Sequence, residues 1–166
     1  MITLLYYAFF YVFFCLLQFF FGKYLNIGGI FPNFILIAVV YLGLTRGKLS
    51  AEVMGFLFGL TWDAFSTDVF GVRAVMFTLI GYFAGILSKK FDKNQVFTQM
   101  VAVFLSSVIY WIGFSLIYYV LPEGAGSYMP FVVSLYGSLK IGLTVIAAPV
   151  IFIALDFFTR SGRKYL

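Results

Sequence analysis

The sequence contains no histidine, a single cysteine and few charged residues of either sign. Without histidine, Ser-His and Cys-His nucleophilic pairs and the two-histidine zinc motif of metalloproteases are excluded. Cys15 lies in an apolar run, so no disulfide forms within the sequence and a small buried side chain is the simpler interpretation. Aspartate pairs on facing helices and a glycine-rich phosphate loop are also missing. We therefore predict no catalytic residue, no cofactor-binding residue and no metal ligand, which disfavours an enzyme.

Charged residues make up only 10% of the 166 residues, whereas hydrophobic residues make up 63%. Soluble domains carry roughly 25% charged residues. A chain this apolar cannot cover a surface in contact with water, so the composition indicates a lipid environment. Only helices or closed barrels satisfy their backbone amides in lipid, and the long continuous apolar runs favour helices. The sequence predicts an all-α polytopic membrane protein.

The apolar runs divide into six helical segments joined by short loops, which together form one transmembrane domain over 1–166. A spanning helix needs about 20 apolar residues, which leaves no room for a soluble module. Pro32 suits the first turn of the second helix, and Ser50 is a candidate N-cap of the third, with Glu52 near the positive dipole end. Pro149 lies inside the sixth helix, where it favours a kink. The predicted helices cover about 2–21, 31–45, 50–65, 72–88, 96–121 and 130–158.

The lysine and arginine residues predict the orientation. Six spans alternate the loops between two sides, and eight basic residues fall on one side against two on the other, with Lys140 inside a helix. Because loops rich in Lys and Arg stay in the cytoplasm, both termini are predicted to be cytoplasmic. The same signal explains the net charge of +5 without nucleic-acid binding. The eight are Arg46, Lys48, Lys89, Lys90, Lys93, Arg160, Arg163 and Lys164, and the two are Lys23 and Arg73.

Glycines recur every four residues in two neighbouring helices. Gly55 and Gly59 lie on one face of the third helix, and Gly81 and Gly85 repeat the spacing in the fourth. Glycines at this spacing let another helix approach closely, which gains packing where lipid offers no hydrophobic drive. Packing within the bundle is the first interpretation and a partner-binding face the second. Replacement of Gly59 by alanine should then be milder than replacement by leucine.

Asp63 continues the face that carries Gly55 and Gly59, and it lies within the apolar part of the third helix. At roughly 20 Å from the inner end of the helix it is predicted to lie in the outer part of the hydrocarbon core. An unpaired carboxylate there costs about 1–3 kcal/mol on insertion scales, so it normally finds a cation. Arg73 and Lys140 are the two candidates, and a partner outside the chain is a third. An ion pair that fixes helix register is favoured over a proton or ion relay, because no second acid or histidine accompanies Asp63.

A set of short motifs carries a family resemblance. The motifs are Pro32-Asn33, Gly43, Arg46-Gly47, Gly55-Phe56-Leu57-x-Gly59-Leu60-x-x-Asp63, Phe70-Gly71-Val72 and Gly81-Tyr82. In these motifs, and in its length, helix count and short loops, the chain resembles the bacterial rod-shape-determining protein MreD family. By position, Pro32, Gly55, Gly59, Asp63 and Gly71 would be structural or interface-forming residues. Arg73 and Lys140 match no family pattern.

The resemblance implies a six-helix bundle like the substrate-binding S-components of energy-coupling-factor vitamin transporters. It also implies a non-enzymatic scaffold of the elongasome, the cell-wall elongation complex that supports rod shape and side-wall peptidoglycan synthesis. The implied partners are an MreC-like bitopic protein, a RodA-type polymerase with its penicillin-binding transpeptidase, and indirectly the MreB filament. Membrane lipid surrounds the whole assembly.

The shared fold leaves one rival, a solute-binding S-component-type subunit of a vitamin transporter. Those subunits usually carry small-residue faces on their first helix for docking the coupling protein. Here residues 4–12 are bulky around the single Ala8, and the outer loops are poor in polar residues that could line a pocket. Both features favour the scaffold.

The charge bias predicts the outcome of fusions to alkaline phosphatase, which is active only outside the cytoplasm. Fusions at Asn26 and Glu123 should be active, and fusions at Lys93 and Lys164 should be silent. The reverse pattern at two sites would overturn the orientation.

Overall fold

The computed structural model describes residues 2–24, 30–66, 69–89, 95–120 and 135–162. Six α-helices account for most of these residues, which confirms the all-helical class predicted from the sequence. The helices are α1 (Ile2–Tyr24), α2 (Phe34–Arg46), α3 (Lys48–Phe65), α4 (Val72–Leu87), α5 (Val96–Val120) and α6 (Leu135–Gly162).

Two of the described helices are long and apolar enough, by length and composition, to cross a membrane. The segments are Val96–Ile117 in α5 and Gly137–Asp156 in α6. Shorter apolar stretches occur in three other helices, over Tyr6–Phe20, Phe34–Arg46 and Val72–Leu87. These findings fit a helical membrane protein, and the six spans stay a prediction.

The outward surface of the helices is strongly apolar. Phe9 on α1 is 72% exposed, and Ile146 on α6 is 68% exposed. Soluble monomers rarely expose contiguous apolar patches larger than a few hundred Å². Lipid tails would cover such side chains without the penalty that water imposes, so the surface agrees with the composition.

The short helix α2 occupies the centre of the bundle. Every residue from Phe34 to Leu44 is buried, and α2 packs against each of the other five helices. Burial on every side, by protein rather than by lipid, makes α2 the core helix of the described bundle. Its 13 residues extend about 20 Å at 1.5 Å per residue, which is less than the roughly 30 Å of a hydrocarbon core.

Side chains from two other helices hold the beginning of α2. Gln18 of α1 accepts hydrogen bonds through its Oε1 from the backbone N–H groups of Phe34, at 2.7 Å, and Ile35, at 3.3 Å. Thr144 of α6 accepts a bond of 3.1 Å from the backbone N–H of Asn33. The first N–H groups of a helix have no partner within it, so these contacts satisfy the amides and fix α2 between α1 and α6.

The prediction that Pro32 lies in the first turn of α2 is wrong. The helix begins at Phe34, and Asn33 is its N-cap, accepting a 3.1 Å hydrogen bond through Oδ1 from the backbone N–H of Leu36. Asparagine is among the preferred N-cap residues, and its side chain places the helix start after the proline.

The predicted N-cap of α3 is also wrong. The helix begins at Lys48, two residues before Ser50, and Gly47 with φ +92° precedes it. A left-handed φ favours glycine, so the chain reverses direction at Gly47 and enters α3 at once. Ser50 lies inside the helix, where its hydroxyl accepts a hydrogen bond of 3.2 Å from Tyr7 of α1. Glu52 is accordingly beyond the first turn.

The remaining helix ends differ from the predicted ones by a few residues. The helix α1 continues to Tyr24 rather than 21, and α6 continues to Gly162 rather than 158 with Pro149 inside it. At the other end of α6, residues 130–134 lie outside the described residues, as does Leu121 beyond α5.

Candidate functional site

The two glycines of α3 lie directly against the backbone of α4. A Cβ added at Gly55 would lie 2.5 Å from the carbonyl oxygen of Phe77. A Cβ added at Gly59 would lie 2.5 Å from the backbone nitrogen of Ala74. Real Cβ atoms do not approach backbone this closely, so any side chain at either position would force the two helices apart.

The two glycines of α4 lie against α3 in the same way. A Cβ at Gly81 would lie 2.6 Å from the carbonyl oxygen of Ala51, and one at Gly85 would lie 2.8 Å from the backbone nitrogen of Lys48. Each glycine pair was predicted as a packing face, and the structure brings the two faces together. We call this contact, formed by Gly55, Gly59, Gly81 and Gly85, the glycine interface.

The carboxylate of Asp63, at the end of α3, caps the beginning of α4. Its Oδ2 accepts hydrogen bonds from the backbone N–H groups of Gly71, at 3.0 Å, and Ala74, at 3.1 Å, and its Oδ1 accepts one from Arg73 at 3.3 Å. A helix N-terminus carries free donors and a partial positive charge, which a carboxylate satisfies and neutralises. Gly71 has φ +94°, a turn that favours glycine and aims its N–H at Asp63.

The guanidinium of Arg73 completes this arrangement. Its Nη1 lies 3.3 Å from Oδ1 of Asp63 in an ion pair whose side chains are 11% and 0% exposed, respectively. The same nitrogen donates a 2.7 Å hydrogen bond to Oγ of Ser66, and the guanidinium lies 5.4 Å from the ring centre of Phe114. Of the two cations that the sequence offered to Asp63, the structure pairs Arg73 with it. A buried pair of this kind is stabilised by the additional hydrogen bonds around it.

Lys140 of α6 makes no ion pair with Asp63. Its Nζ lies 4.9 Å from the ring centre of Phe31, a cation–π distance. Lys140 and Arg73 both line a cavity of about 260 Å³ between the beginnings of α2, α4 and α6 and the second half of α5. The polar residues of its lining include Asn33, Arg73, Ser107, Trp111, Lys140 and Thr144.

The sequence pattern did not single out three residues that contact the beginning of α2 or line the cavity. Gln18 was noticeable only as the one strongly polar side chain of the first helix, and a polar group in an apolar helix usually marks a buried partner. Ser107 and Trp111 belong to a helix with no recognisable motif. Within the described ranges, no three His, Cys, Asp or Glu side chains come close enough together to hold a metal ion.

The fold is consistent with a helical membrane protein, and in the hairpin of α3 and α4 the glycines and the Asp63–Arg73 pair hold the two helices together. A comparison with protein families finds that the model of the family described as rod shape-determining protein MreD matches residues 1–159. The chain belongs to this family, and the match confirms the resemblance inferred from its motifs. Membership indicates a role in determining rod shape. No curated protein and no solved structure matches the chain.

Replacement of Gly59 by alanine should itself destabilise the bundle, because the added Cβ meets the backbone of Ala74 rather than a movable side chain. Overpacking of this kind costs about 1–3 kcal/mol. Gly142 of α6 provides the matched control, since a Cβ there meets nothing within 4 Å and alanine favours helix. Unfolding titrations with SDS in mixed micelles would measure both variants. Equal stability of Gly59→Ala and Gly142→Ala would disprove the close contact at Gly59.

Replacement of Asp63 by asparagine should destabilise the protein by about 3–5 kcal/mol, because it strands the Arg73 charge and leaves cap donors unsatisfied. Adding Arg73→Gln should recover part of that loss, since the stranded charge is then removed. Adding Lys140→Gln instead should recover less, because Lys140 is not the ion-pair partner. The test is a pair of double-mutant cycles followed by thermal unfolding in detergent. A larger coupling energy for Lys140 than for Arg73 would contradict the assigned pair.

Proposed function

We propose that the chain is a scaffold subunit of the cell-wall elongation complex in the bacterial inner membrane. The match of residues 1–159 to the MreD family carries this proposal. In it the six helices form six spans of one domain, both termini face the cytoplasm, and the end of the bundle where α4 begins faces outward. The apolar exposed surface and the bias of basic residues support that placement.

The contacts of the buried carboxylate of Asp63 support a role without catalysis. The carboxylate of Asp63 accepts three backbone hydrogen bonds and forms an ion pair with Arg73, so it is fully engaged in holding the α3–α4 turn. A general base needs a free lone pair directed at a substrate. The arrangement instead gives the hairpin a fixed shape, which is what a scaffold requires.

The proposed direct partner is an MreC-like protein with a single membrane span, and through it a RodA-type polymerase and its transpeptidase. Exposed apolar side chains on α1 and α5, such as Phe9 and Leu116, offer surface on which a further helix could pack. Helix association in lipid depends on close packing and so on a bundle of fixed shape. The glycine interface and the Asp63 cap would supply that shape.

The cavity beside Lys140 favours a second candidate, a solute-binding subunit of a vitamin transporter. Pockets for small molecules are concave and mostly apolar with a few polar groups, and this cavity has both kinds of lining. The two candidates differ in what a cell loses with the protein. A scaffold is needed for shape, whereas a transporter subunit is needed for one nutrient.

Depletion in a rod-shaped host distinguishes the two. The scaffold function predicts round, wide cells, and co-purification with an MreC-like partner that weakens in Gly59→Leu and Asp63→Asn but persists in the control Gly142→Ala. The transporter function predicts normal rods and a vitamin requirement relieved by a high external dose. Normal rods with such a requirement would overturn the scaffold function.

A further inference from the structure

The cavity between α2, α4, α5 and α6 has a positively charged lining, which suits a negatively charged ligand. Arg73 and Lys140 both contribute to its lining, and no carboxylate is among the lining residues that the structure describes. Asp63 pairs with Arg73, whereas the contact that the described residues give the half-buried ammonium of Lys140 is the ring of Phe31. An ammonium partly withdrawn from water without a counter-ion is costly, so an anion in the cavity would be stabilising.

Two further residues of the lining carry donors. Ser107 and Trp111 line the cavity, and Oγ of Ser107 and Nε1 of Trp111 are buried without a hydrogen-bond partner among the described residues. Ser107 as a whole is only 5% exposed. Buried polar groups are normally paired, so a ligand with acceptor oxygens would satisfy donors that the described residues leave unpaired.

An apolar groove lies next to this cavity on the outside of the bundle. It lies between α5 and α6, has a volume of about 440 Å³, and shares Trp111 and Ile141 with the cavity. From there it passes Gly142 and ends between Phe104 and Ile146, which are 49% and 68% exposed. Phe104 precedes Trp111 by two helical turns, so the groove leads about 10 Å along α5 away from the cations.

We propose that the cavity and the groove together bind one anionic phospholipid, with its phosphate beside Lys140 and one acyl chain along the groove. The cations, Ser107 and Trp111 offer donors that match phosphate oxygens, and phosphate with paired donors is bound by short charge-assisted bonds. The groove matches a hydrocarbon chain, which a free phosphate lacks. The cavity, at about 260 Å³, is several times the roughly 30 Å³ of one water molecule, so it has room for more than a solvent molecule. This inference is compatible with the scaffold function and competes with the transporter function, which would use the same cavity for its solute.

Native mass spectrometry of the purified chain, titrated with phosphatidylglycerol or phosphatidylcholine in mild detergent, tests the charge. One phosphatidylglycerol should bind with saturation and phosphatidylcholine should not. Lys140→Gln should weaken binding about tenfold or more, the effect of one lost charge-assisted hydrogen bond. The control Lys89→Gln removes the same charge at the opposite end of α4 and should leave binding unchanged. Equal weakening by both variants would show a general surface attraction and overturn the site.

The groove is tested by filling it. Gly142→Leu places a side chain in the groove and should weaken binding severalfold, whereas Ala154→Leu adds bulk to an exposed position of α6 outside the groove and should not. Inorganic phosphate and glycerol 3-phosphate, which lack acyl chains, should fail to displace the lipid at equal concentration. Displacement by either, or a preference for a single-chain isoprenyl phosphate or an acidic peptide over phosphatidylglycerol, would overturn the proposal.

Fluorescence supplies a measurement that does not depend on the stability of Lys140→Gln. Phosphatidylglycerol with brominated acyl chains should quench the tryptophan fluorescence of the unmodified chain, since both of its tryptophans, Trp62 and Trp111, line the cavity and Trp111 also lines the groove. Brominated phosphatidylcholine at the same concentration should quench it much less. Trp111→Phe, which removes the N–H donor together with part of the ring, should bind phosphatidylglycerol more weakly in native mass spectrometry. Equal quenching by the two lipids would show contact with bulk lipid and contradict a specific site.

Discussion

The carboxylate of Asp63 joins the end of α3 to the beginning of α4. It accepts hydrogen bonds from the free amides at the beginning of α4 and balances the charge of Arg73. These contacts set the register of α3 relative to α4. That register is what brings Gly55 and Gly59 opposite the backbone of α4, since a shift by one residue would turn them out of the contact. The hairpin then forms one wall around α2, whose burial is complete only because the other helices are already placed. Close backbone contact replaces the hydrophobic effect as the source of stability between helices in lipid.

The sequence predicted those contacts that follow from the residues on a single helix face. The four-residue spacing of glycines placed Gly55 and Gly59 on a packing face, and burial of a carboxylate required a cation near Asp63. Whether that cation was Arg73 or Lys140 depended on where α4 and α6 lie relative to the end of α3, which a local pattern does not contain. The sequence likewise could not predict that the two glycine faces pack against each other, because this depends on how α3 and α4 are aligned in the tertiary structure.

Helix beginnings were harder to predict than helix faces. The proline rule placed the start of α2 at Pro32, but the side chain of Asn33 competes for the first amides and moves the start to Phe34. At α3, Gly47 turns the chain so sharply that the helix begins before Ser50. Composition gave no sign that α2 is central, because a helix buried on all sides and a helix surrounded by lipid have the same apolar sequence.

The burial of α2 has a consequence for how the protein is made. Its 13 residues are too few to cross the hydrocarbon core unaided, and its first amides depend on Gln18 of α1 and Thr144 of α6. The helix α2 would therefore not be stable as an independently inserted transmembrane helix. Because Thr144 follows Asn33 by 111 residues, the beginning of α2 reaches its final contacts only after α6 has been synthesised, so the central helix of the bundle is among the last to be completed.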